Sequence, residues 1–104
     1  MVIGRNSAHG KHAGAEATAS VAAAKGLSLQ ASARPNQRVT GSWTIACGVG
    51  NTPGARAGDT FAGKAPLEVA MRDVDFTLAT SCTVLADAKL ARSGRLDVKI
   101  LKQQ

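Results

Sequence analysis

The chain has 104 residues, a formal net charge of +6 and three aromatic residues. This length holds one domain with a thin core, and so few aromatic side chains argue against a sugar-binding face that stacks on Trp or Tyr. The basic charge is concentrated in residues 1–38, which hold five Lys and Arg side chains against one glutamate. These cations are widely spaced and no aromatic residues lie between them, so we expect an acidic protein partner rather than nucleic acid.

Residues 1–26 consist mainly of Gly, Ala, Ser and His. Such a segment buries too little apolar surface to offset its ordering entropy, so the composition predicts an extended N-terminal arm that is flexible when free. The apolar pair Val2 and Ile3 at its start has two interpretations: an ordinary chain start, or an anchor that enters a groove of a partner. We interpret His9 and His12 as solvated residues rather than metal ligands, because no nearby cysteine or well-placed carboxylate completes a site.

From Leu27 onward apolar and polar residues alternate, which is the pattern of half-buried strands. Six or seven short strands, with turn signals about every 8–12 residues, predict an antiparallel, immunoglobulin-like β-sandwich over residues 27–104. The positions predicted to face inward are Leu27, Leu29, Ala31 and Ala33; Val39, Gly41, Trp43, Ile45 and Cys47; Leu67, Val69 and Met71; Val74, Phe76 and Leu78; Cys82, Val84, Ala86 and Ala88; and Leu96, Val98 and Ile100. Phe61 is predicted to lie in a short strand or edge segment.

The two cysteines, Cys47 and Cys82, are too few for a structural zinc site and too far apart for a CxxC redox pair. We predict a disulfide between them that crosses the core from sheet to sheet and contributes roughly 3–4 kcal/mol. The alternative is two free buried cysteines in a cytosolic protein. A disulfide indicates an oxidising compartment, so we expect a secreted, extracellular protein whose signal peptide has been removed.

The sequence predicts no enzyme. No histidine follows residue 12, which excludes a Ser–His or Cys–His nucleophile in the predicted sandwich. Asp73 and Asp75 alternate out of phase with the apolar residues and are predicted to be solvated. Residues 48–54 are rich in glycine but lack the Lys-Ser/Thr of a phosphate-binding loop, so residues 48–58 are predicted to form a surface loop. We predict no catalytic residue, metal, cofactor or membrane contact.

Three short segments resemble a family of small exported actinobacterial proteins. These segments run from Trp43 to Cys47, over Ser81-Cys82-Thr83-Val84, and over Gly94-Arg95-Leu96-Asp97-Val98. Within that family the chain is most similar to the adaptor subunits of streptomycete umbrella toxin particles. The resemblance implies that the sandwich docks on a helical-repeat toxin subunit, and that the arm inserts into a lectin subunit whose first domain is a degenerate trypsin-like fold.

The resemblance also implies a role for the first residues. Val2-Ile3-Gly4-Arg5 is similar to the start that trypsin-like chains tuck into themselves on activation, except that Arg5 stands where a second glycine is expected. We therefore expect these four residues to bind the partner, and the protein to be a non-catalytic adaptor of a secreted antibacterial toxin complex. Two alternatives are a secreted protease inhibitor that presents residues 48–58 and a small carbohydrate- or cell-wall-binding module.

Overall fold

The computed structural model describes residues 1–49, 52–74 and 81–103. In these ranges the chain forms eight strands. Their bounds are β1 Val2–Gly10, β2 Gly14–Val21, β3 Leu27–Arg34, β4 Arg38–Val49, β5 Thr52–Lys64, β6 Leu67–Ala70, β7 Ser81–Leu90 and β8 Gly94–Lys102. The described part of the chain contains no helix that is both long enough and apolar enough to cross a membrane.

The strands form two four-stranded antiparallel sheets packed as a sandwich, which confirms the predicted fold class. Sheet A has the order β1-β8-β3-β6, and sheet B has the order β2-β7-β4-β5. The core between them is built from the alternate apolar residues of the central strands. Its largest fully buried side chains include Leu29, Ile45, Leu90, Leu96 and Ile100.

The prediction of a flexible arm over residues 1–26 differs from the structure. Here β1 pairs with β8 from Val2 to Gly10, and β2 pairs with β7 from Gly14 to Val21. The reason is the alternation of small residues: Ala13, Ala15 and Ala17 are all buried, and β7 and β8 offer strand edges that satisfy the backbone. This addition explains why there are eight strands rather than six or seven.

The predicted disulfide between Cys47 and Cys82 is confirmed, and both residues face the core. Its predicted course from sheet to sheet is wrong. The two cysteines are directly opposite each other on β4 and β7, neighbouring strands of sheet B, with their Cα atoms 4.0 Å apart. An inward-facing cysteine meets side chains of its own sheet as well as those of the opposite sheet, so phase alone does not distinguish the two arrangements.

Two further predictions concern residues 48–58 and residues 74–78. The surface loop predicted for residues 48–58 is largely wrong, because β4 extends to Val49 and β5 begins at Thr52. Of the strand predicted around Val74, Phe76 and Leu78, Val74 forms an isolated bridge with Ala24, and residues 75–80 lie outside the described residues.

Candidate functional site

The outer face of sheet A carries a group of basic side chains. On β8, Leu96, Val98 and Ile100 face the core, so Arg95, Asp97 and Lys99 face outward. The same alternation turns residues of β1 and β3 outward. We call this surface the basic face; its basic members are Arg5, His9, Arg34, Arg95 and Lys99.

The strand register places like charges directly opposite each other on this face. Arg5 pairs with Lys99 across β1 and β8, and Arg34 pairs with Arg95 across β3 and β8. Directly opposite side chains on a sheet have Cβ atoms about 5 Å apart, and like charges there are destabilising. In a water-like dielectric the repulsion is roughly 1 kcal/mol or less for each pair. The sheet therefore carries a small electrostatic penalty that an anionic partner would relieve.

Two carboxylates lie on the same outer surface. Asp97 stands between the two basic pairs, and its Oδ2 is 3.7 Å from the Nε of Arg95. Glu68 lies at the far edge of sheet A, on β6 opposite Gln30. Because four Lys and Arg side chains share the face with these two carboxylates, its positive charge is only partly balanced.

One end of the basic face forms a shallow depression of about 480 Å³. It is lined by Ser32, Ala33, Arg34, Asn36, Pro66, Arg95 and Asp97. Two guanidinium groups at the rim of a depression suit a carboxylate or another planar anion, which arginine binds through paired N–H donors.

Gln37 holds the backbone behind this depression. Its side chain is only 2% exposed. The Nε2 group donates to the Ser93 carbonyl at 3.0 Å and the Pro35 carbonyl at 3.3 Å, and Oε1 accepts from the Arg92 amide at 2.7 Å. One side chain thus ties the β3–β4 turn, which follows Arg34, to the β7–β8 turn, which precedes Arg95.

The four predicted partner-binding residues all lie in β1, but they do not form one surface. Arg5 belongs to the basic face, and Val2 pairs with Leu101 farther along β8. Ile3 packs against the core. Gly4 approaches β2 so closely that an added Cβ would overlap the Thr18 carbonyl oxygen.

Sequence reasoning missed Arg34, Arg95 and Lys99 as a group with Arg5. The signal was available in part: Arg95 and Lys99 alternate with the inward-facing residues of the last strand, so their common side could be predicted. Their proximity to Arg5 could not, because it depends on β1 joining the sheet beside β8. Gln37 was also missed, since nothing local distinguishes it from an exposed turn glutamine.

No protein-family model matches the chain, and a search of curated proteins finds no significant relative. One solved structure with similar strands is a family 61 carbohydrate-binding module in complex with β-1,4-galactotriose. It shares 8% identity with this chain at a TM-score of 0.48, and the match covers 95% of this chain and 69% of the other. A second is PirA, with 10% identity, a TM-score of 0.48, and coverage of 93% and 91%. A third is the family 32 carbohydrate-binding module of AlyQ in complex with 4,5-unsaturated mannuronic acid, with 16% identity, a TM-score of 0.33, and coverage of 95% and 78%. All three fall below a TM-score of 0.5, and none of them indicates what this chain binds.

Proposed function

We propose that this protein is a non-catalytic adaptor of a secreted protein complex, and that its basic face binds an acidic surface of one partner subunit. The observation that carries the proposal is the register that places two like-charged pairs directly opposite each other on one exposed sheet face, Arg5 with Lys99 and Arg34 with Arg95. Such pairs destabilise the fold slightly through like-charge repulsion. An acidic partner relieves that repulsion, which favours binding, and its opposite charge speeds association.

A protein partner fits this face better than nucleic acid. Among the described outward positions of β1, β8 and β3, no Phe, Trp or Tyr lies beside the cations. Single-stranded nucleic acid is held by aromatic stacking as well as by charge, and Asp97 at the centre of the face would repel a phosphate chain. A carboxylate-bearing protein surface with its own hydrogen-bond donors accommodates both signs of charge.

The family resemblance supplies the candidate partners. These are a lectin subunit with a degenerate trypsin-like domain and a helical-repeat toxin subunit, which would make the complex an antibacterial toxin. The disulfide between Cys47 and Cys82 is consistent with an extracellular protein. In this arrangement Arg5 contacts the partner from within strand β1 as part of the basic face.

The test is a matched pair of charge-reversal variants. Arg34→Glu/Arg95→Glu reverses one basic pair on sheet A. Arg38→Glu/Lys64→Glu reverses a basic pair that is also directly opposite, but on sheet B. We expect the sheet A variant to weaken binding of purified candidate subunits by at least tenfold at 50 mM salt, because two attractive contacts become repulsive. The sheet B variant should remain within threefold of the unchanged protein.

Isothermal titration calorimetry with each candidate subunit, at 50 and 300 mM salt, measures the effect. Equal losses in both variants would show that net charge rather than this face drives binding, and would contradict the proposal. Binding of duplex or single-stranded DNA, or of glycans on an array, that is lost only in the sheet A variant would assign the face to another ligand class.

A further inference from the structure

Strand β5 is one edge of sheet B and is the longest strand that the structure describes, with 13 residues. It pairs along one side with β4. Among the residues that the structure describes, no strand pairs with the other side of β5. The unpaired amide and carbonyl groups of an edge strand are a template for a further strand. We call this side of β5 the free edge.

The middle of the free edge is covered by a pair of charged side chains. The Nη2 of Arg72 donates to the Gly58 carbonyl at 2.8 Å, and the Thr60 amide donates to the Oδ1 of Asp59 at 2.8 Å. The Nη1 of Arg72 lies 3.8 Å from the Oδ2 of Asp59. We call Asp59 and Arg72 the clasp. Because main-chain groups alternate in direction along an antiparallel strand, those of Gly58 and Thr60 both point to the free edge.

The clasp is held weakly. The side chains of Arg72 and Asp59 are 62% and 60% exposed, and exposed ion pairs contribute little to stability. The guanidinium also lies 5.6 Å from the centre of the ring of Trp43, a buried residue of the neighbouring strand β4. These contacts occupy the edge without closing it permanently.

Half-buried apolar side chains border the same edge. Phe61 and Ala57 lie on the inner side of β5, and Leu67 and Val69 lie on β6, the corresponding edge of sheet A. All four pack against the core while remaining partly exposed. A strand added to β5 would place every second side chain over this apolar border.

The charge of the outer side indicates what kind of strand fits. Arg56 and Lys64 face outward on β5, and Arg38 is opposite Lys64 on β4. A second copy of the chain, paired antiparallel about Thr60, would place Arg56 of each copy opposite Lys64 of the other. Like charges at both ends disfavour that dimer, whereas carboxylates at the corresponding positions of another chain would be attracted.

We propose that the free edge of β5 accepts an extended segment of another protein as an added strand, with apolar residues facing the border and acidic residues facing outward. The incoming segment displaces the clasp and takes over the hydrogen bonds of Gly58 and Thr60. This inference concerns the edge of sheet B and stands independently of the basic face on sheet A.

The probe is a capped eight-residue peptide that alternates Glu and Val, compared with the same peptide N-methylated at alternate residues. N-methylation removes the donors of one strand edge and leaves charge and apolar surface nearly unchanged. Amide chemical shifts and hydrogen exchange by NMR locate binding. We expect only the unmethylated peptide to perturb the amides from Arg56 to Ala62, and to protect those of Arg56, Gly58, Thr60 and Ala62, which point to the free edge.

Arg72→Ala should bind this peptide at least fivefold more tightly, because the clasp no longer competes for the Gly58 carbonyl. The matched control is Arg92→Ala, an exposed arginine in the β7–β8 turn, which should leave the affinity within twofold. Thr60→Pro removes one donor of the free edge, where proline is tolerated, and should reduce binding at least tenfold while circular dichroism shows an intact sandwich.

Equal binding of the two peptides, or no gain in Arg72→Ala, would overturn the inference. Dimerisation of Arg72→Ala in analytical ultracentrifugation without peptide binding would also overturn it, because the occupant would then be a second copy. The basic-face variant Arg34→Glu/Arg95→Glu should bind the peptide normally, so failure at one surface is distinguishable from failure at the other.

Discussion

Replacing Gln37 by leucine removes three hydrogen bonds at once while keeping a side chain of similar size. The lost partners are the carbonyls of Pro35 and Ser93 and the amide of Arg92. The backbone carbonyl of Gln37 still accepts from the Ala65 amide at 2.9 Å. The substitution therefore tests what the side chain contributes without disturbing the main chain.

The expected loss follows from the number and exposure of these bonds. Three bonds at roughly 0.5–1.5 kcal/mol each give about 1.5–4.5 kcal/mol. Arg92 and Ser93 are exposed residues, so water replaces part of what they lose, whereas the 2% exposure of Gln37 leaves its own site dry. We expect the free energy of unfolding to fall by about 2–3 kcal/mol.

Urea denaturation followed by circular dichroism measures the change. Gln30→Leu, on the outer face of sheet A, is the control and should shift the free energy of unfolding by about 0.5 kcal/mol or less. If Gln37→Leu shifts it no more than Gln30→Leu does, the reasoning is refuted. Gln37→Glu adds a pH test, because burial beside two carbonyl oxygens raises the folded-state pKa of the new carboxyl. The free energy of unfolding that this variant loses relative to the unchanged protein is therefore smallest at low pH and grows as pH rises past about 4.3.

Two further perturbations probe the fold. Reduction of the Cys47–Cys82 bond, which closes a sequence separation of 35, should lower the free energy of unfolding by about 4 kcal/mol; an unchanged urea midpoint with and without reductant would contradict this. Gly4→Ala places a Cβ against the Thr18 carbonyl and should lower the free energy of unfolding by about 1–3 kcal/mol. The control is Gly14→Ala, whose Cβ would lie 3.6 Å from the Ala88 carbonyl oxygen and which should leave the free energy of unfolding nearly unchanged. Equal effects of the two substitutions would favour a free arm.

The sandwich was predictable because its central strands alternate strictly. Leu96, Val98 and Ile100 of β8, and Val84, Ala86 and Ala88 of β7, are all buried as their phase requires. The cysteine pair was also predictable, since both members share that phase. Which sheet each strand joins depends on long-range pairing, and the local pattern carries no information about it.

The first two strands were missed for a different reason. Alanine is a strong helix former and a weak core residue, so a run of alternating alanines reads as helix or flexible chain. In the folded protein Ala15 and Ala17 are buried against the core. Their small side chains suit a place where β1 and β2 approach each other closely, as the Asn6 Nδ2 donating to the Glu16 carbonyl at 3.0 Å shows. The basic face was missed with them, because it needs β1 beside β8.

The place of β1 in the sheet decides between two ways of binding a partner. Withdrawal of the whole of β1 into a groove of a partner would break the eight residue pairs that it makes with β8. With roughly one hydrogen bond per pair at about 0.5–1.5 kcal/mol, that separation opposes binding by about 4–12 kcal/mol before Ile3 and Ala8 lose their core contacts. Docking on the basic face leaves every pair intact and uses Arg5 where it already stands. A partner that binds a detached β1 must supply a replacement for β8, whereas a partner that docks on the basic face needs only the opposite charge. For this reason we favour docking on the basic face.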